Sequence, residues 1–85
     1  MPERKTLKMP IIDITATGTK IKELRDRAGL TTKEISGMLG FNSPTAVYKW
    51  ISGTSLPTID NLVILADILG VGIEDILVVK KIDVV

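Results

Sequence analysis

Apolar residues recur at helical spacing along most of the chain, and glycines separate the stretches in which they do so. In the first stretch, Ile21 and Leu24 lie about one turn apart with charged residues between them, which predicts a helix over residues 18–28. Thr17 is suited to cap the beginning of this helix, and Gly29 is suited to end it in a left-handed conformation.

A second, shorter helix is predicted to begin after Thr31 and to end at Gly40. Thr31 and Glu34 have the spacing of a capping box, in which each side chain accepts a hydrogen bond from the other residue's backbone N–H. Gly40 stands at a corner where we expect a positive φ angle. The positions expected to face inward are Ile35, Met38 and Leu39.

A third helix is predicted over residues 44–52. Ser43 is a favourable N-cap, Pro44 is a favourable first residue, and Gly53 is expected to end the helix. On a helical wheel, one side carries the core-type residues Ala46, Val47 and Trp50. The other side, which we expect to be exposed, carries Thr45, Tyr48, Lys49 and Ser52.

Two further helices complete the predicted bundle. The fourth begins after Thr58 and ends at Gly70, and its buried stripe is formed by Leu62, Leu65, Ala66 and Leu69. The fifth runs from Ile73 to about residue 78, with two acidic residues in its first turn, where the helix dipole favours them. The predicted fold class is therefore all-α, a bundle of five helices.

The two terminal segments differ from this helical domain, which we assign to residues 17–78. Residues 1–16 are predicted to form an arm, whose isoleucines at positions 11, 12 and 14 favour an extended strand. Residues 79–85 form a tail that is also β-prone, so a small β-ribbon can join the two segments. A lone ribbon is marginal in water. Packing on the bundle or pairing with a second chain would cover it, and we expect the terminal strands to help form a homodimer.

Composition restricts the chemistry of the chain. It contains neither cysteine nor histidine, which removes thiolate chemistry and the commonest catalytic and metal-binding side chains. No apolar run approaches the roughly 20 residues that span a membrane, and no signal-peptide segment follows the charged N-terminus. We therefore expect a cytoplasmic protein that is not an enzyme, needs no cofactor or metal and has no membrane partner.

The net charge of +1 conceals a strong polarisation along the sequence. Residues 20–49 contain six basic and three acidic side chains, which gives +3, whereas residues 50–79 contain four acidic and no basic ones, which gives −4. The basic half includes the second helix and the first two thirds of the third. Clustered basic charge of this kind is typical of surfaces that bind nucleic acid.

Residues 32–52 have the pattern of two short helices joined by a tight turn, a helix-turn-helix whose second helix would lie in the major groove of DNA. The sequence here resembles the phage repressor and Cro family of regulators, the Xre type. The matching stretches, within about residues 18–78, are IKELRDRAGLTTKEISGMLG, AVYKWISG and LPTIDNLVILADILGVGIEDIL. The resemblance implies a repressor-type bundle and sequence-specific binding of double-stranded DNA.

The chain departs from the family's pattern in the turn and around the third helix. The turn over residues 41–44 is one residue longer than usual. Ile51 stands where relatives often carry an acidic residue that pairs with an arginine of the first helix, so Arg25 is expected to be free for phosphate or solvent. Thr54 and Ser55 stand where relatives often carry basic residues, and their hydroxyls and backbone amides would have to bind phosphate instead.

The resemblance implies a set of DNA contacts at the matching positions. Relatives commonly touch base edges from the positions of Pro44, Thr45 and Lys49. They commonly touch phosphate from the positions of Thr32, Ser43 and Ser52. Tyr48, on the same outer face, is added to the base contacts, with a half-buried packing role as its alternative. Lys33, Thr54 and Ser55 are added to the phosphate contacts.

The sequence thus predicts a transcriptional regulator that binds a palindromic DNA site as a homodimer, with residues 44–52 as the recognition helix. An alternative is a protein-interaction module or antitoxin on the same fold, with weak or no DNA binding. The net −4 of residues 50–79 and the missing lysines after Gly53 favour this alternative. An enzyme is a third class, and the absence of histidine and cysteine disfavours it.

Overall fold

The computed structural model describes residues 7–84, which form five helices and one two-stranded antiparallel sheet. The helices are α1 (Ile14–Ala28), α2 (Thr32–Met38), α3 (Thr45–Ile51), α4 (Ile59–Leu69) and α5 (Ile73–Ile76). The strands are β1 (Leu7–Ile12) and β2 (Val79–Val84). The prediction of a five-helix bundle with a small ribbon is therefore confirmed. Residues 1–6 of the predicted arm and residue 85 of the tail lie outside the described residues.

One hydrophobic core holds the five helices together, and every helix contributes at least one buried apolar side chain to it. The four-residue stripe predicted for α4 is buried as expected. On α3, Trp50 is buried and meets Phe41 edge-on, with 6.0 Å between the ring centroids. The buried apolar residues are Ile21, Leu24, Ile35, Val47, Trp50, Leu62, Leu65, Ala66, Leu69 and Ile76.

Most helix ends follow the signals in the sequence. The backbone N–H of Thr31 donates to Oε1 of Glu34, and the N–H of Glu34 donates to Oγ1 of Thr31, each at 3.0 Å, so the capping box is confirmed. Thr58 caps α4 through the N–H of Asn61. The glycines that end the first four helices all have positive φ angles between 70° and 80°, as left-handed terminators require.

The predicted beginning of α1 was wrong by four residues. The helix begins at Ile14, because the carboxylate of Asp13 accepts a hydrogen bond from the N–H of Ala16 at 3.0 Å and caps the helix there. Ile14 is therefore helical and not part of the strand. Thr17, which was expected to be the cap, is fully buried in the helix, and its hydroxyl accepts a hydrogen bond from the backbone N–H of Val78 at 3.0 Å.

Three further expectations differ in detail. Helix α3 begins at Thr45 with Pro44 at the N-cap position, and Ser43 reaches the Thr45 N–H only at 3.4 Å. Helix α5 ends at Ile76, since the next residue is already extended with a ψ of 125°. Met38 is 57% exposed because the buried side of α2 is centred on Ile35 and Ser36, which leaves Met38 on its flank.

The ribbon extends from the bundle and is attached at Val78. The backbone N–H of Val78 donates to Thr17, and its carbonyl accepts a hydrogen bond from the N–H of Asp13 at 2.8 Å. Beyond this point β1 and β2 pair antiparallel from Ile12 opposite Val79 to Leu7 opposite Val84. Neither strand has a buried residue or contributes to the core, and the long dimension of the molecule is 52 Å against 22 and 21 Å for the others.

Candidate nucleic-acid interface

Helix α3 has a buried side and an exposed side, as the helical wheel predicts. Val47 and Trp50 are buried, and Ala46 is half-buried against the core. The four polar residues predicted for the outer side are all exposed: Thr45, Tyr48, Lys49 and Ser52. The exposed fraction of Tyr48 is 56%, so the tyrosine does not take the half-buried packing role that was its alternative.

An open groove of about 480 Å³ lies between the turn, the first part of α3 and the loop that follows this helix. Thr45 and Lys49, which were predicted to contact bases, line it together with Ser43 and Ser55, which were predicted to contact phosphate. The groove thus brings residues from both predicted groups together on one concave surface. These residues share the groove because the groove runs beside α3.

A smaller groove of about 160 Å³ lies between α2 and the turn. Lys33, Ser43 and Pro44 line it, so the predicted contacts on α2 and those at the beginning of α3 share one surface. Asn42 lines both grooves and is exposed. Sequence reasoning did not select it as a site residue. The signal that was present is the extra residue in the turn over 41–44, which places a polar amide between the two helices.

The loop after α3 is folded back onto the helix by hydrogen bonds to one carbonyl. The Lys49 carbonyl accepts from the backbone N–H groups of Thr54 at 2.9 Å and of Ser55 at 3.3 Å, and from the Ser52 hydroxyl at 3.1 Å. The backbone amides of Thr54 and Ser55, which were expected to bind phosphate, are thus already engaged within the protein. Their hydroxyls remain, and that of Thr54 pairs with that of Ser52 at 2.8 Å.

Arg25 is not free, contrary to the expectation from its missing acidic partner. Its Nη1 donates to Oγ1 of Thr32 at 2.8 Å, while Nε and Nη2 donate to Asp26 at 3.1 and 2.8 Å. The neighbouring aspartate and the threonine are therefore the partners of Arg25 in this chain. Thr32, which was predicted to contact phosphate, is buried, and its hydroxyl is already engaged by Arg25.

The charge on the helix-turn-helix is favourable for a polyanion. Lys33 on α2 and Lys49 on α3 are exposed, and α3 contains no acidic residue. Within residues 7–84, no three histidine, cysteine, aspartate or glutamate side chains lie close enough together to hold a metal ion. The polar groups that α3 presents are hydroxyls and an ammonium group, which suit hydrogen bonding to base edges and phosphates.

A short helix, a turn and a second short helix with an exposed polar face define a helix-turn-helix protein. The helix-turn-helix family model matches residues 21–76, about two thirds of the chain, and the chain belongs to this family. This result confirms the resemblance to the phage repressor and Cro regulators. Membership makes the chain a DNA-binding regulator and not an enzyme.

Among solved structures, the chain is similar to the restriction-modification controller protein C.AhdI from Aeromonas hydrophila. The two are 22% identical, with a TM-score of 0.69, and the alignment covers 75% of this chain and 96% of that chain. At this identity the similarity shows the fold alone. No curated protein sequence matches the chain significantly. Within the described part of the chain, no helix is long and apolar enough to cross a lipid bilayer.

Proposed function

We propose that the chain is a transcriptional regulator that recognises a specific sequence of double-stranded DNA through α3 and binds a palindromic site as a homodimer. The observation that carries the proposal is the outer face of α3, where every predicted polar side chain is exposed while the opposite side is fixed in the core. An α-helix fits into the major groove of DNA, and a rigidly held helix places its side chains reproducibly against base edges.

Base reading is assigned to the residues that face outward from α3 and its beginning: Pro44, Thr45, Tyr48 and Lys49. Lys49 donates hydrogen bonds to guanine O6 and N7, and Thr45 contacts either a base edge or a thymine methyl group. Both side chains line the wider groove, so they are placed to contact neighbouring base pairs. Pro44 and Tyr48 add apolar contacts beside them.

Phosphate binding is assigned to the rim of the same surface. Lys33 supplies a cation from α2, and hydroxyl groups are supplied by Ser43, Ser52, Thr54 and Ser55. Asn42 joins this group because it lines both grooves. Thr32 is kept among the phosphate contacts because it lies in the first turn of α2. Its hydroxyl, however, accepts a hydrogen bond from Arg25.

Specific observations favour a second candidate function, a protein-interaction module or antitoxin with weak or no DNA binding. Residues 50–79 carry −4, and α4 exposes Ile59 and Val63 on its surface, at 79% and 51%. Acidic surface repels DNA, and exposed aliphatic side chains suit a protein partner. The proposed DNA contacts lie on α2, α3 and the loop after α3, whereas the exposed aliphatic side chains lie on α4, so the two kinds of binding can be tested separately.

Selection of bound sites from a random pool of duplex DNA tests the proposal. Enrichment of one palindromic sequence supports specific binding by a two-fold dimer, whose recognition helices lie about one DNA turn, or roughly 34 Å, apart. A random duplex used at increasing salt concentration supplies the control, since phosphate contacts weaken as salt rises. No enrichment and no salt-dependent binding would favour the interaction module. A regulator of this kind acts where the DNA is, which supports a cytoplasmic location.

A further inference from the structure

The ribbon has one apolar face and one polar face. Residues directly opposite each other in an antiparallel pair share a face, so the register shows on which of the two faces each side chain lies. The first face carries the pairs Leu7–Val84, Met9–Ile82 and Ile11–Lys80. The second face carries the pairs Lys8–Asp83, Pro10–Lys81 and Ile12–Val79, and Lys8 and Asp83 form an ion pair on it. We refer to the first as the apolar ribbon face.

The bundle does not cover the apolar ribbon face. Leu7, Met9 and Ile82 are 45%, 44% and 39% exposed, although each lies beside other apolar side chains of the ribbon. None of the apolar side chains that pack against the core comes from either strand. A two-stranded ribbon is marginally stable in water unless a further layer covers its apolar side. Of the two covers that the sequence left open, packing on the bundle is not found in the described residues.

The distribution of charge on this face suits a second copy of itself. Two-fold pairing brings the same patch of both copies together. If the axis passes through the Met9–Ile82 pair, the one charge on the face, Lys80, lies two residues from the axis in each copy. If that axis runs across the strands, a rise of about 3.3 Å per residue separates the two Lys80 residues by about 13 Å along the strands alone, beyond the Debye length of about 8 Å. Apolar side chains therefore meet at the centre without opposed charges.

The other surfaces of the ribbon are less suited to pairing. The second face would bury Lys8, Lys81 and Asp83, and removing these charges from water opposes association. The free edge of β1 contains Pro10, which lacks an N–H donor, and the free edge of β2 contains two adjacent lysines. Proline and lysine on edge strands both disfavour the addition of another strand.

We propose that the apolar ribbon face is a dimer interface that takes the same face of a second copy, so that two ribbons stack as two layers about 10 Å apart. This inference deepens the homodimer part of the proposed function and rests on it, but it does not depend on DNA binding. Two strands of six residues present a face of about 20 Å by 10 Å. Two such faces together cover about 400 Å², well below the 1,200–2,000 Å² that a stable interface usually buries. The dimer is accordingly a reversible one.

Cysteine cross-linking of the full chain tests which face is in the interface. The chain contains no cysteine, so one introduced cysteine reports contacts between copies. Ile82→Cys lies at the centre of the apolar ribbon face, and Val79→Cys lies on the opposite face of the same strand as a matched exposed control. A short bismaleimide should link the Ile82→Cys chains into dimers and leave the Val79→Cys chains as monomers. Equal linking of both variants, or of neither, overturns the inference.

Sedimentation equilibrium measures the strength of the same contact. Concentrations from about 5 to 500 µM are needed, because interfaces of this size form weak complexes. Ile82→Lys should raise the dissociation constant by about tenfold or more, since it places a charge at the centre of the apolar layer, whereas Val79→Lys should change it by less than about twofold. Nuclear Overhauser contacts between β1 and β2 in both variants verify that the ribbon itself is intact.

The two parts of the hypothesis fail differently. If the wild-type chain dimerises and Ile82→Lys does not weaken the dimer, the ribbon inference is overturned and the homodimer stands. If the wild-type chain stays monomeric over the whole concentration range, the ribbon inference and the homodimer in free solution are both overturned. Selection from the random DNA pool reports on DNA recognition in either case, so its result is independent of the ribbon.

Discussion

The carbonyl oxygen of Trp50 packs directly on Gly18, so closely that a Cβ atom at position 18 would lie 2.4 Å from it. The carbonyl oxygen of Ile51 would lie 2.5 Å from the same atom. Helix α1 therefore meets the end of α3 through backbone on both sides, and this contact is part of what holds the proposed recognition helix in place. A glycine is required here by close approach, not by a positive φ angle.

Gly18→Ala should destabilise the domain because the two carbonyl groups that oppose the new methyl group are backbone and cannot rotate away. We expect the free energy of unfolding to fall by about 1–3 kcal/mol, the usual cost of overpacking. Urea denaturation followed by circular dichroism measures it. DNA affinity should fall as well, since separating α1 from α3 displaces the outer face of the recognition helix.

Gly37→Ala is the matched control. Gly37 also lies inside a helix, but a Cβ atom there would meet nothing within 4 Å. Alanine has the higher helix propensity, so this variant should be more stable by up to about 1 kcal/mol. If both alanine variants change stability in the same direction, the close contact between α1 and α3 is not the cause.

Trp50→Ala should remove the largest side chain of the core. Trp50 is 4% exposed, and truncation of a large buried aromatic residue costs about 3–5 kcal/mol. A small domain has little more than this in total stability. The variant should therefore lose most of its helical circular dichroism signal at 25 °C. A well-folded Trp50→Ala protein that has lost only DNA binding would contradict the core assignment.

Thr17→Val should loosen the attachment of the ribbon. Valine has nearly the shape of threonine but leaves the part-buried N–H of Val78 without its acceptor, which costs about 1 kcal/mol or more. Hydrogen exchange at the Val78 amide and urea denaturation measure the effect. Thr19→Val is the control, because Thr19 is exposed and its hydroxyl bonds only to the Thr15 carbonyl of its own helix at 3.3 Å. Equal loss of stability in both variants would argue against the proposed attachment.

The sequence predicted the parts of the fold that depend on local signals. The capping box of Thr31 and Glu34, the terminating glycines and the buried stripe of α4 all depend on residues within a few positions of each other. It failed at Thr17, where the hydroxyl bonds to a residue 61 positions away. A threonine before an apolar periodicity looks like a cap, and only the packed structure shows that Asp13 has that role.

In the candidate site too, features that depend on local periodicity were predicted and features that depend on contacts between elements were not. The outer face of α3 follows from helical periodicity alone, so its exposed residues were found. The engagement of Arg25 with Thr32 joins two helices, and the bonds from Thr54 and Ser55 to one carbonyl depend on how the loop folds back. Neither arrangement has a local sequence signal. Asn42 was not selected because its place between the two grooves depends on how the turn packs against α2 and α3.

Arg25 and Lys33 should respond differently to salt. Lys33→Ala should reduce the slope of log affinity against log salt by about one, as the loss of one phosphate contact does. Arg25→Ala should leave the slope unchanged, because its guanidinium is occupied by Thr32 and Asp26, and should instead lower the melting temperature. Fluorescence anisotropy with a labelled duplex at several salt concentrations measures the slopes. A reduced slope for Arg25→Ala would show that it reaches phosphate in the complex.

Thr45→Ala and Lys49→Ala should change which DNA sequences the protein prefers. Both side chains are exposed on the outer face of α3 and line the same groove, so each is expected to read bases. A good base contact contributes about 1–3 kcal/mol of discrimination against the wrong base. Each variant should therefore relax selection at its own position of the palindrome when bound sites are selected again from the random pool. Lys33→Ala is the control, since loss of a phosphate contact weakens binding to all sequences alike. If Thr45→Ala and Lys49→Ala also weaken all sequences equally, these residues hold the backbone of DNA and the specificity lies elsewhere on α3.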